Sequence, residues 1–301
     1  MIQTFKSEND WLAHRKSHIT GTDLAAIMGE SPFMTPFSVW VSKTEGLKVE
    51  QNNAMRMGTI LEPAILDVWE SERNTKLTRP GKLNFADNGK ILGASLDGYA
   101  DAIVVDAKNL RKDPGEKIPT HYYLQLLAQM HGTDKELGEL ACLIGGQEFK
   151  TYEVQRDKSL ENSVIEFCER WWDEHIVKGV QPQIDGSDSA TKWIKEKFAK
   201  ADNSRVLEPT EEIKLVASRL SSINFQMKEL ATAKEEHENK IRLFMGDAIE
   251  IKDLCTWKNN KDKTEIDWEA VAKEMKATPE VIARFTTTKP GARVLRLKQE
   301  K

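Results

Sequence analysis

The stretch Gly93-Ala94-Ser95-Leu96-Asp97-Gly98, followed by Val105-Asp106-Ala107-Lys108, decides how this chain is read. Ile103 to Val105 is a short apolar β-branched run that follows the turn-forming Asp97-Gly98, so Asp106 and Lys108 fall on one strand. Residues two apart on a strand project from the same face, so an acid and an amine converge on one spot. The neighbouring strand or turn then brings Asp97 beside them. Two carboxylates can chelate Mg2+, and the lysine can hold a water or a developing negative charge. That order of groups fits a metal-dependent site that cuts phosphodiesters. Asp-x-Lys alone is common on solvated strand faces, so the rest of the sequence has to carry the argument.

The 301 residues exceed one typical domain and predict a compact core of about 150 to 200 residues plus an appendage. With 39% hydrophobic and 31% charged residues, the chain is globular rather than disordered. No run approaches about 18 consecutive apolar residues, and the N-terminal residues lack a signal-peptide pattern. A cytoplasmic protein with no membrane partner is expected. Three scattered cysteines, Cys142, Cys168 and Cys255, form no C-x-x-C pair and argue against structural zinc or a four-cysteine iron–sulfur cluster. The net charge is −4, yet residues 251–301 hold 12 basic against 8 acidic side chains. An acidic total does not exclude DNA, because a local basic channel suffices to hold a phosphate backbone.

The first 70 residues read as helices: one around Asp10 to Arg15, one from Thr22 as N-cap to Met28, one opened by Thr35-Pro36, and one through Leu61, Glu62, Ile65, Val68 and Trp69. Pro63 should kink the last of these. Strands follow over about residues 83–105, then a helix with Tyr122, Leu126, Leu127 and Met130, strands over 140–144 and 149–154, and a helix over 159–178. That order makes an α/β layered core. Residues 179–189, rich in Gly, Pro, Asp and Ser, mark a boundary. The domains are therefore a core over 1–180, a linker with a short helix over 181–206, a long helix over 207–248 and a small basic α+β tail over 249–301. Within the long helix Ile213, Val216, Leu220, Ile223, Met227, Leu230, Ile241 and Phe244 form a heptad seam, which suits either packing on the core or pairing with another molecule. The tail reads as a hairpin about residues 259–262, one or two short helices and a last strand over 293–297. His14, His18, His121 and His131 lie on separate elements and read as solvated or core histidines rather than ligands, and Trp69, Trp171 and Trp172 read as core.

Three further segments flank the opening motif in a consistent order. Trp11 to Asp23 contains Arg15 and Thr22; Gly58-Thr59-Ile60-Leu61-Glu62-Pro63 lies on a helix; Gly93 to Gly98 leads the metal strands; Tyr122-Tyr123-Leu124-Gln125 opens the helix after the sheet. Together, over about residues 10–178, they resemble the YqaJ-type viral recombinase group, the family of the phage lambda exonuclease within the PD-(D/E)XK nuclease superfamily. The resemblance implies a restriction-endonuclease-like core with a central mixed β-sheet flanked by helices.

Position by position, it implies that Asp97 and Asp106 bind metal, with the Ala107 carbonyl on the same ion. Lys108 would orient or activate the attacking water. Glu62 would hold a second metal or its waters, and Gln125 would support the site. Arg15 would receive a DNA end's 5′-phosphate, with Thr22 near it; a guanidinium grips a terminal phosphate bidentately, and a helix N-terminus favours an anion. Two positions depart from the family pattern: Leu96 stands where Pro is usual, and Asp106 where Glu is usual. The implied activity is Mg2+-dependent 5′-to-3′ exonuclease action on double-stranded DNA ends, with Mn2+ as a substitute ion. Implied partners are DNA ends, further copies in a ring-shaped homo-oligomer, and a single-strand annealing protein in the bacterial cytosol of a phage or prophage host. The competing readings are a non-catalytic DNA-end-binding scaffold and an endonuclease of the same superfamily.

Overall fold

A computed structural model describes residues 2–46, 52–262, 264–287 and 297, and resolves them into two compact units that meet at Lys197 and Phe198. The first unit opens with β1 (Ile2–Thr4), α1 (Glu8–Lys16), β2 (Ile19–Thr20), α2 (Gly21–Ile27), α3 (Pro36–Thr44) and α4 (Asn53–Arg73). Then come β3 (Asn84–Asp87), β4 (Leu92–Ala94), β5 (Gly98–Ala100), β6 (Ile103–Leu110) and α5 (Thr120–Thr133). It closes with β7 (Leu137–Ile144), β8 (Glu148–Gln155), α6 (Lys158–Trp172), a π-helical turn at Asp173–Val177, and α7 (Asp188–Lys197).

The central mixed sheet runs β5-β6-β7-β8, antiparallel except for the parallel pair β6 and β7. A parallel pair needs a crossover, and α5 supplies it. Strand alternation then sorts the two faces. Val104, Leu140 and Cys142 pack with Leu126 and Met130 of α5, while Val105 and Ala141 pack with Ile65, Leu66 and Trp69 of α4. Asp106 and Lys108 share the parity of Val104 and so face α5; Ala107 shares that of Val105. Behind α4, the buried Glu139 accepts from Trp69 Nε1 at 2.7 Å and pairs with Arg73 at 3.0 Å, so the carboxylate is compensated.

A second four-stranded sheet runs in the order β1-β3-β4-β2; β3 and β4 fall in the strand stretch expected over 83–105, whereas β1 and β2, two or three residues long, were not legible in the sequence. Helix α5 comes close to it and to α2. A Cβ on Gly132 would stand 2.3 Å from the Ala86 carbonyl oxygen, and one on Gly21 would stand 3.0 Å from Gln125 Cα. Both glycines are therefore spacers for α5.

Several boundaries move. The second helix is capped by Thr20, not Thr22: Thr20 Oγ1 accepts from Asp23 N while the Asp23 carboxylate accepts from Thr20 N, a reciprocal capping box. The compact unit runs on past 180, because Ala190 and Trp193 of α7 enter the cluster of Phe37 and Trp40, and Trp193 Nε1 donates to Glu45. Residues 179–189 are thus a loop inside the unit. Trp69 and Trp171 are buried, as their helical spacing predicted.

In the second unit α8 (Glu211–Met245) is the long helix, N-capped by Thr210, with Ile213, Val216, Ile223, Met227 and Leu230 of its seam exposed. The hairpin is β9 (Glu250–Ile251) with β10 (Cys255–Thr256), not at 259–262; Asp253 takes the left-handed turn position at φ 61°. Short helices α9 (Trp268–Glu274) and α10 (Pro279–Phe285) follow. The last strand expected over 293–297 lies outside the described residues apart from Leu297. Among the described residues no helix is long and apolar enough to cross a membrane.

Candidate active site

Strand β6 holds Asp106 almost wholly buried, at 3% exposure, on the face that meets α5. One carboxylate oxygen, Oδ2, pairs with Lys108 Nζ at 2.6 Å, and the other, Oδ1, accepts from Gln129 Nε2 at 2.8 Å. The acid and amine two residues apart do converge. Asp97 reaches them by a different device. β5 pairs with β6 only from Ile103 to Val105, so the N–H of Ala107 has no strand partner on that edge. The Asp97 carboxylate takes it, Ala107 N donating to Oδ2 at 2.9 Å. The N–H and C=O of one strand residue point to the same neighbour, so the Ala107 carbonyl leaves on the Asp97 edge too.

The electrostatics are those of crowded acids around one amine. Burial first, and then the Asp106 and Glu62 charges, push the Asp97 carboxyl up to about 7, against the pull of Lys108. Burial and Asp106 likewise raise Glu62, which makes no hydrogen bond or ion pair among the described residues and acts on the others through its field. Burial alone would lower Lys108, but Asp106 and Asp97 outweigh it and hold the ammonium above its ordinary value. Such mutual repulsion is relieved by a divalent cation, and oxygen donors of this kind suit a hard one.

Arg15 stands on α1 with its guanidinium 4.6 Å from the Trp11 ring centroid. Its Nη1 donates to Ser95 Oγ at 2.9 Å, and Ser95 Oγ donates to the Asn84 carbonyl at 2.9 Å. Gln129 Nε2 bridges the Ser95 carbonyl, at 3.2 Å, and Asp106. Arg15 and the acids are therefore joined through Ser95 and Gln129. Behind Arg15, Lys43 Nζ donates to the Arg15 carbonyl at 2.9 Å and pairs with Asp23 at 2.8 Å. Burial lowers the Arg15 pKa, partly countered by Asp23. Thr22 is exposed in the first turn of α2, and its hydroxyl makes no hydrogen bond among the described residues.

Gln125 is half-buried on α5 and its side chain makes no hydrogen bond among the described residues. Gln129, one turn further on the same face, is the glutamine that touches Asp106. Ser95 and Asn84 were also not singled out from sequence. Asn84 clamps the backbone next to Asp97, accepting from Leu96 N at 2.8 Å and donating to the Leu96 carbonyl at 2.9 Å. A proline at 96 has no N–H to give, so Leu96 allows a hydrogen bond that the usual family residue cannot form. The contacts predict that Gln129→Ala lowers any Asp106-dependent activity about tenfold, by removing a hydrogen bond to a buried charge. Gln125→Ala should lower it less; initial rates of the two variants compare them directly.

The chain is 26% identical over 253 residues to the uncharacterized protein YqaJ of Bacillus subtilis strain 168, covering 80% of this chain and 79% of that one. Among solved structures it is similar to an alkaline exonuclease, LHK-Exo, from Laribacter hongkongensis, with 19% identity, TM-score 0.47, and 64% of this chain and 98% of that one covered. It is also similar to a phage related exonuclease from Haemophilus somnus 129PT, with 16% identity, TM-score 0.44, and coverage of 54% and 96%. Residues 10–136 match the model of the YqaJ-like viral recombinase domain. That span contains Arg15, Glu62, Asp97, Asp106, Lys108 and Gln129, so the segment that builds the site is the one that matches the YqaJ-like viral recombinase domain.

Proposed function

We propose that this protein is a metal-dependent exonuclease that degrades double-stranded DNA from its ends, in the 5′-to-3′ direction, leaving 3′ single-stranded overhangs for annealing recombination. The observation that carries the reading is the convergence of Asp97, Asp106 and Lys108, with Asp97 pushed up to about 7 by burial and neighbouring acids. Direction and overhang rest on the family resemblance. Asp97, Asp106, the Ala107 carbonyl and Glu62 would hold Mg2+, or Mn2+ in its place. When bound, the ion neutralises charge on the scissile phosphate and lowers the barrier to in-line attack.

The chain's own groups do the rest. Lys108 holds the attacking water by a hydrogen bond and faces the charge that grows on the phosphoryl oxygens. The water oxygen bonds to phosphorus and gives up one proton as the bond to the 3′ oxygen breaks; the 3′ oxygen takes up one proton, and the product keeps a 5′-phosphate. Gln129 and Lys108 fix the Asp106 carboxylate throughout. The same reading includes a ring-shaped homo-oligomer, a single-strand annealing partner and a bacterial cytosolic location.

End-labelled linear duplex and covalently closed circular DNA, each with Mg2+ and with chelator, test the proposal. Loss of label from linear duplex only, and only with Mg2+, is expected. Cutting of the closed circle at a comparable rate would make the protein an endonuclease, and end binding without metal-dependent product release would make it a scaffold. Arg15 offers a second test. A guanidinium gripping a terminal phosphate contributes a charge-assisted contact of about 1.5 to 3 kcal/mol, or roughly 10- to 100-fold. Wild type should therefore prefer 5′-phosphorylated over 5′-hydroxyl ends by about that factor, and Arg15→Ala should lose the preference. Equal wild-type rates on both ends would remove the role.

A further inference from the structure

We propose that His14, His18 and Asp87 form a second cation site, suited to Zn2+ and separate from the Asp97 and Asp106 centre. His14 lies in the last turn of α1 and His18 just beyond its end, so their i, i+4 spacing brings the rings to 4.4 Å between centroids. Asp87 ends β3 and arrives from across the chain, its Oδ2 3.5 Å from His14 Nε2. One ligand atom from each of the three lies within 4.8 Å of the other two.

Three details make this more than proximity. His14 Nε2 is sealed from solvent and forms no hydrogen bond. A buried ring nitrogen whose only polar contact is a carboxylate too far for a hydrogen bond is costly, and a metal ion between the two is one way to satisfy it. His18 Nδ1 lies 2.9 Å from the His14 carbonyl oxygen, an approach that requires an N–H, which leaves the lone pair on Nε2. Ligating histidines are usually held in this way, with the second nitrogen donating to a carbonyl or carboxylate. Asp87 is oriented as well, because its Oδ1 accepts from Gly89 N at 3.0 Å while Oδ2 faces His14. Phe5 and Phe85, each 5.1 Å from the His14 ring, form an apolar wall.

Two imidazoles and one carboxylate select a borderline ion such as Zn2+ over Mg2+, which prefers an all-oxygen set. Tetrahedral zinc at about 2.0 Å from each ligand puts ligand atoms about 3.3 Å apart, so small ring rotations close the set. The fourth position is left to water. Such an ion would pin α1, which carries Arg15, to β3, whose Asn84 positions Ser95.

The test uses the full chain carrying Asp97→Asn and Asp106→Asn, so that the oxygen site cannot compete. After chelator stripping, Zn2+ is added, the protein is desalted, and metal per chain and melting temperature are measured; Co2+ absorption then reports ligand type. One retained Zn2+ per chain, a higher melting temperature and an imidazole-type Co2+ spectrum are expected. Adding His18→Gln or the near-isosteric Asp87→Asn should abolish all three. Failure of the parent to retain Zn2+, or equal retention by both added variants, overturns the proposal. Should one added variant fail to fold, the other decides.

Discussion

Lys108→Ala should lower the rate of linear duplex digestion by about 10²- to 10³-fold, the usual cost of removing one preorganised charge donor from a reacting centre. The same substitution should also weaken the metal-free fold. Asp106 is 3% exposed and its Oδ2 has Lys108 as its ion-pair partner at 2.6 Å. Breaking a buried pair by deleting one member costs about 3 to 5 kcal/mol, because the other charge stays buried. Gln129 remains on Oδ1 and softens that figure, so a loss near 3 kcal/mol in urea melts is the expectation. Combining Lys108→Ala with Asp106→Asn removes the stranded charge. The double variant should regain most of the stability and none of the activity. That split separates the catalytic part of Lys108 from its structural part, which a single variant cannot do. Wild-type digestion by purified Lys108→Ala would sink the assignment outright.

Which parts of this site could be read from the chain depends on the range over which each is fixed. Asp106 and Lys108 were legible because strand parity is local, and the start of α3 at Thr35-Pro36 and the seam of α8 were legible because helix starts and heptads are local. Thr20 was also local, since Thr20 and Asp23 have capping-box spacing, but Thr22, two residues on, was read as the cap instead. Gln129 could not be chosen over Gln125 from periodicity, since residues four apart share a helix face. Which of them reaches Asp106 depends on how far α5 slides along β6, and that is set by contacts at Gly21 and Gly132 with segments remote in sequence. β1 and β2 hid because strands of two or three residues are too short to show a period, and the linker-like composition of 179–189 hid the packing of the short helix α7 into the first unit. The pairing of His14 with His18 was available as i, i+4 spacing. Asp87, delivered by β3, was not.

Asp97→Asn should make the metal-free protein more stable at pH 8 and leave it unchanged near pH 4. Burial first, and then Asp106, raise the Asp97 carboxyl to about 7 in the folded state, while an unfolded aspartate titrates near 3.9. The folded state therefore holds this proton more tightly than the unfolded one. Its contribution is fully present below about pH 4, fades as pH rises through about 7, and is absent above. Asparagine has no proton to lose and can still accept from Ala107 N. The expected gain at pH 8 is on the order of 2 kcal/mol, or about 4 to 8 °C for a unit of this size. Mg2+ should then act in opposite ways on the two proteins. In wild type at pH 8 it supplies the charge that the crowded acids lack and should restore stability; in Asp97→Asn it should do much less. Chemical melts at pH 4, 6 and 8, with chelator and with Mg2+, read out all of this. A flat pH dependence in chelator-treated wild type would mean that Asp97 is not strained by its neighbours, and the electrostatic argument for a cation at this centre would fall with it.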